Sequence, residues 1–100
     1  MYSKKEVLEI LRSELPYLKK HYGIKKIGVF GSYSKNLQKP ESDVDILIEF
    51  DKSIGLKFIS LCDYLEDLLG KKVDVLTYDG VKSIRVKEVK QDISESVVYA

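Results

Sequence analysis

The stretch from Asp43 to Thr77 leaves this chain few ways to fold. Its first part, DVDILIEF (Asp43–Phe50), alternates with period two. As a strand it puts Val44, Ile46, Ile48 and Phe50 on one face and Asp43, Asp45, Leu47 and Glu49 on the other. From Ile54 to Leu69 the spacing turns helical. Phe58, Leu61, Cys62, Leu65, Leu68 and Leu69 make an apolar stripe, with Lys57, Asp63, Glu66 and Asp67 outside it and Gly70 placed to cap the end. Lys72–Thr77 (KVDVLT) is β-rich again. A strand, a helix and a strand in that order imply a crossover that leaves the two strands parallel in one sheet.

The flanks supply the remaining layers. Ser3 and Glu6 form a capping box, and Val7, Ile10, Leu11, Leu15 and Leu18 fall at helical spacing. Pro16 predicts a break near Ser13–Leu15, then a second short helix to about Tyr22, stopped by Gly23. Lys25–Phe30 reads as a strand running straight into Gly31-Ser32, and a helical turn is expected around Ser34–Gln38 before Pro40. Val86, Val89 and Ile93 suggest a short helix, and Val97–Tyr99 a final edge strand. The expected class is α/β (α+β): a small mixed sheet of three to four strands packed with helices. At 100 residues, the chain (1–100) is expected to be a single domain with no room for a separate acceptor-binding domain.

Charge and cysteine content narrow the functions. Lys+Arg outnumber Asp+Glu by only 17 to 16, against the strongly basic balance of a nucleic-acid coat protein, so direct nucleic-acid binding is not expected. That average hides a polarity. Residues 1–40 hold nine basic and three acidic side chains, whereas residues 41–80 hold four and ten. An acidic centre beside a basic flank suits a cation together with a polyanion. One cysteine, Cys62, cannot form an internal disulfide and is expected in the core; one His and one Cys do not make a zinc site. No apolar run is long enough to span a membrane and no signal-peptide core is present, so the expected location is the cytoplasm.

The chemistry concentrates in GSYSKNLQKPESDVD, where Gly31-Ser32 precedes Asp43-x-Asp45 by ten residues. Two acids two apart on a strand leave the same face with Cα atoms roughly 6–7 Å apart. Their mutual repulsion calls for a cation, and hard carboxylate oxygens favour Mg²⁺ or Mn²⁺. Asp74 interrupts the apolar run Val73–Leu76 and is the candidate third ligand; Glu49, Asp51 and Asp79 fall near strand ends. Gly31 allows a sharp turn and close backbone approach, Ser32 can donate to phosphate oxygens, and Lys35 and Lys39 can add charge. Tyr33 is placed to border a nucleotide.

This arrangement resembles the minimal nucleotidyltransferase (MNT) family of the polymerase-β superfamily, marked by Gly-Ser, ten residues, Asp-x-Asp and a later third Asp. The matching positions are Gly31, Ser32, Asp43, Asp45 and Asp74, and the likeness extends over about 80 to 90 residues. Ser34-Lys35-Asn36 stands where many relatives have Ala-Arg-Gly. Asn tolerates the positive φ of the glycine it replaces better than most residues.

The resemblance implies a polymerase-β-like fold and transfer of AMP from ATP to a hydroxyl with release of pyrophosphate. Asp43, Asp45 and Asp74 would be both catalytic and metal-binding, holding two Mg²⁺ ions, with Asp74 also orienting or deprotonating the acceptor. Gly31, Ser32 and Lys35 would contact the nucleotide. The implied partner is a HEPN-type ribonuclease toxin whose tyrosine accepts the group, making this chain an antitoxin in a hetero-oligomer. Two other readings stay open: an antitoxin that neutralises its partner by binding alone, and a transferase acting on a small-molecule hydroxyl.

Overall fold

A computed structural model of the chain describes residues 3–35, 37–39, 42–52 and 54–100. Helix α1 (Lys4–Tyr22) leads into strand β1 (Ile24–Phe30), the short helix α2 (Gly31–Ser34) and strand β2 (Val44–Phe50). Helix α3 (Lys57–Leu69), strand β3 (Val73–Thr77), helices α4 (Tyr78–Lys82) and α5 (Lys87–Ser96), and strand β4 (Val98–Tyr99) complete it. The strands form one mixed sheet in the order β3-β2-β1-β4, with β2 and β3 parallel and β1 antiparallel to both β2 and β4. The crossover expected from the central pattern is therefore present. Among the described residues no helix is long and apolar enough to cross a membrane.

The expected break at Pro16 does not occur: α1 runs unbroken for 19 residues. Proline removes one hydrogen bond, to the carbonyl of Arg12. Arg12 and Pro16 are both exposed, so that carbonyl can be hydrated. Both ends are sealed, by the Ser3–Glu6 capping box and by Gly23 in the left-handed conformation. Leu18 and Tyr22 beyond the proline are buried. Burying two such side chains contributes more than the roughly 3 kcal/mol that an interior proline costs.

One sheet face carries the main core. Val7, Leu11 and Leu18 of α1 and Leu61, Leu65 and Leu69 of α3 pack on Ile27, Val29, Val44, Ile46 and Ile48. At the α1–α3 seam the Tyr64 hydroxyl donates to Glu14 Oε2 at 2.6 Å, which pushes its pKa up to about 12. Tyr17 stacks on His21 in the last turn of α1 and tilts against Tyr64. Cys62, expected in the core, is only partly buried on α3.

A smaller cluster of Phe30, Leu47, Val81 and Ile93 covers part of the opposite face. It rests on α4 and α5. The sequence pattern did not point to α4, which starts where the Thr77 hydroxyl accepts from the Gly80 N–H at 3.0 Å. On α5 only Ile93 is buried, and Val86 and Val89, expected on its apolar side, are exposed.

The turn after β1 also differs from expectation. Its helix occupies Gly31–Ser34 rather than Ser34–Gln38. The positive φ of Gly31 (70°) starts the helix directly at the strand end and sends Tyr33 into the main core, away from the position beside a nucleotide expected for it. The expectations for Asn36 and Pro40 fall outside the described residues.

Gly28 makes room for β4. A Cβ there would lie 2.9 Å from both Val97 Cγ2 and the Val98 carbonyl oxygen. The carbonyl is backbone and cannot yield without disturbing the Gly28–Tyr99 and Val29–Val98 pairing. Gly28→Ala is expected to lower unfolding free energy by about 1–3 kcal/mol in denaturant titration. It should also speed exchange of the Ala100 amide, which donates to the Ile27 carbonyl at 2.9 Å. Unchanged stability and exchange would contradict this packing.

Candidate active site

Strand register builds the site. Asp45 of β2 lies opposite Asp74 of β3 on one side and Phe30 of β1 on the other. Partners in neighbouring strands share a face at roughly 4.8 Å per strand. Asp74, Asp45 and the end of β1 thus form one row, and the chain turns at Gly31 immediately after that row. A side chain at Gly31 would collide with the Asp45 carboxylate, and its φ of 70° disfavours other residues as well. Gly31 therefore lets an acid pack directly against the turn.

Asp43 precedes β2 by one residue, so the strand starts one position later than expected, although the Val44 N–H still bonds the Lys72 carbonyl at 3.0 Å. Its charge reaches Asp45. Burial first, then the charges of Asp74 and Asp43, push the Asp45 pKa up to about 6 from 3.8. Asp45 therefore feels the charge of both other predicted acids. The reason given for Asp74 needs correction: it is exposed on an edge strand, so the cost of burial does not single it out. Register does.

The other predicted residues divide. Ser32 lies in the first turn of α2, where backbone N–H groups lack partners within the helix, and its carbonyl accepts from the Leu37 N–H at 2.8 Å. Lys35, expected on phosphate, has its ammonium 2.8 Å from Asp92 Oδ1 on α5. Lys39 is exposed. Glu49, Asp51 and Asp79 sit at the far ends of the strands. There they line a cleft of about 730 Å³ with Phe50, Phe58 and Tyr78, and this cleft contains none of the three acids. Asp92 was not foreseen: an exposed helical acid 57 residues from its partner leaves no local signal.

Among the described residues no group of three or more acidic, His or Cys side chains is placed to hold a metal ion, so Asp43, Asp45 and Asp74 are not drawn together as one ligand set. A Mg²⁺ site completed by substrate does not need one, because Mg²⁺ keeps several waters and is held by one or two carboxylates plus phosphate oxygens. Hard oxygen donors, mutual repulsion and a carboxylate of raised proton affinity fit that kind of site.

The fold is thus an α/β mixed sheet with two register-matched carboxylates beside a Gly-Ser turn. The nucleotidyltransferase domain model matches residues 4–100, and the chain belongs to that family. It is 40% identical over 94 residues to the protein adenylyltransferase MntA of Thermococcus cleftensis, covering 93% of this chain and 95% of that one. Its fold is similar to a chain from a toxin–antitoxin crystal structure with AMP-PNP (TM-score 0.64, 21% identity, 98% of this chain and 72% of the other). It is also similar to a chain of a complex between tri-AMPylated Shewanella oneidensis HEPN toxin and MNT antitoxin (TM-score 0.55, 20% identity, 96% and 66%).

Two stability predictions follow from the site's surroundings. Between about pH 4 and pH 6 the unfolded chain loses the Asp45 proton while the folded chain keeps it, so this group's contribution to stability falls as pH rises through that window. Asp45→Asn should therefore match wild type near pH 4. By pH 7 it should be more stable by about 1 kcal/mol, allowing for screening of a half-exposed group. Denaturant melts at several pH values measure this, and a variant less stable at pH 7 would refute it. Separately, the Tyr33 hydroxyl is buried with no hydrogen-bond partner among the described residues. Tyr33→Phe is expected to hold or raise stability, by up to about 1 kcal/mol.

Proposed function

We infer that this chain is a Mg²⁺-dependent protein adenylyltransferase that silences a HEPN-type toxin by moving AMP from ATP onto a tyrosine hydroxyl. The observation that carries this reading is the row Asp74–Asp45–Gly31, in which two carboxylates and a side-chain-free turn meet across three strands. The similarity to MntA of Thermococcus cleftensis supports adenylyl transfer to protein. The likeness to toxin–antitoxin chains supports the partner.

In this reading Gly31 and Ser32 grip the outer phosphates through backbone N–H groups and the serine hydroxyl, while Lys35 adds a positive charge. Asp43, Asp45 and Asp74 would hold divalent cations, which when bound neutralise phosphate charge and favour the ionised acceptor. Exposed Asp74 faces the side from which a protein substrate approaches, and it orients the tyrosine hydroxyl and takes its proton. The tyrosine oxygen forms a bond to the α-phosphorus as the bond from that phosphorus to the bridging oxygen breaks. Pyrophosphate leaves with the bonding pair.

Incubating the chain with Mg²⁺, ATP and a HEPN-type toxin should add about 329 Da per adenylyl group to the toxin in intact-mass spectra. Chelation should abolish the gain. Asp43→Asn, Asp45→Asn and Asp74→Asn should each lower the rate by at least about 100-fold. Peptide mapping then locates the modified residue. Toxin inhibition that survives all three substitutions without any mass gain would replace enzymatic silencing with blocking by contact.

A further inference from the structure

We propose that Asp92 is a positioning residue for Lys35, holding its ammonium where it meets the triphosphate; this rests on the nucleotide-transfer reading above. Two polar contacts fasten the phosphate turn to α5. Ser34, the buried polar residue at the end of α2, donates its hydroxyl to the carbonyl of Ser96, the last residue of α5. Next to it, Lys35 Nζ donates to Asp92 Oδ1 at 2.8 Å. Asp92 and Ser96 are four residues apart and so lie on the same face of α5. Ile93 is the buried side chain of that helix, and these two contacts join its polar side to the turn.

The ion pair does little for the fold. Its side chains are 41% and 57% exposed, and pairs so exposed contribute little to stability. Its effect is on where a flexible cation sits. A lysine ammonium has three donors, so one bond to Asp92 leaves two for phosphate oxygens. Fixing the long side chain of Lys35, at the C-terminal end of α2, before nucleotide arrives would remove part of the ordering cost that binding otherwise carries. Asp92 also carries a negative charge that would repel a triphosphate. At direct contact Lys35 largely neutralises it, and solvent and salt screen the remainder at this exposed position.

The two effects have opposite signs, so kinetics separates them. In the transfer assay Asp92→Asn is expected to raise KM for ATP about three- to tenfold with kcat within twofold, and Asp92→Glu to restore most of the loss. Lys35→Ala should raise KM at least as much. The Lys35→Ala/Asp92→Asn double variant should be no worse than Lys35→Ala alone, because the second change has nothing left to position. An unchanged or lowered KM in Asp92→Asn, or additive effects in the double variant, overturns the assignment. If wild type transfers adenylyl groups and Asp92→Asn equals it, this inference alone falls. If wild type neither binds Mg-ATP nor transfers, the enzymatic reading falls and this inference with it.

Discussion

The Asp45 carboxylate is crowded by like charges and by a turn of the backbone, and much of the architecture answers to that crowding. Asp74 stands beside it in the parallel neighbour, Asp43 contributes like charge from just before the strand, and the backbone of Gly31 presses against it from the end of β1. A carboxylate so placed is poorly hydrated and repelled by its neighbours, so its pKa rises to about 6. Such a group is costly in a fold stabilised by only a few kcal/mol. In the proposed reading a divalent cation would relieve the repulsion and the lost hydration together.

The sheet can carry that cost because its faces are used differently. The α1/α3 face is a continuous apolar core in which Val44, Ile46 and Ile48 are fully buried. On the other face Leu47 is buried under α4 and α5, yet Asp45, two residues earlier on the same side, is only partly covered. The apolar cover on that face comes from Val81 of the five-residue α4 and Ile93 of α5. Short elements leave the amino-terminal end of β2 and β3 reachable, while the core behind keeps the strands in register. Register is what the site needs, since a slip of one residue would send the acids to the opposite face.

Much of this was legible from residue spacing. The alternation of Val44 through Phe50 and the stripe from Phe58 to Leu69 gave the strand, the helix and the parallel crossover, because burial on one face leaves a periodic trace. Asp43, Asp45 and Asp74 were legible as acids amid apolar residues. Pro16 misled because helix propensity is local, whereas α1 is held by its caps and by leucines on both sides of the proline. The turn at Gly31 was misplaced because one positive-φ residue starts the helix without a side-chain cap. Contacts such as Lys35–Asp92 and Ser34–Ser96 join parts of the chain 57 and 62 residues apart through exposed or small side chains, and no pattern of spacing encodes them.

The row across the sheet also has a direction. At the β1 end lie Gly31 and Ser32, with backbone donors suited to phosphate; at the β3 end lies Asp74, exposed on an edge strand. Asp45 is between them, with its pKa raised to about 6. A donor nucleotide gripped at the turn and a hydroxyl arriving past the open edge of β3 would meet over Asp45 without crossing paths. An edge strand is ordinarily a liability, since its unpaired backbone invites other chains. In the proposed reading the same openness would let a folded protein bring a side chain to Asp74, which a fifth strand in that place would prevent. The short sheet and its unprotected edge are therefore as much a part of the proposed specificity for a macromolecular acceptor as the acids are of the chemistry.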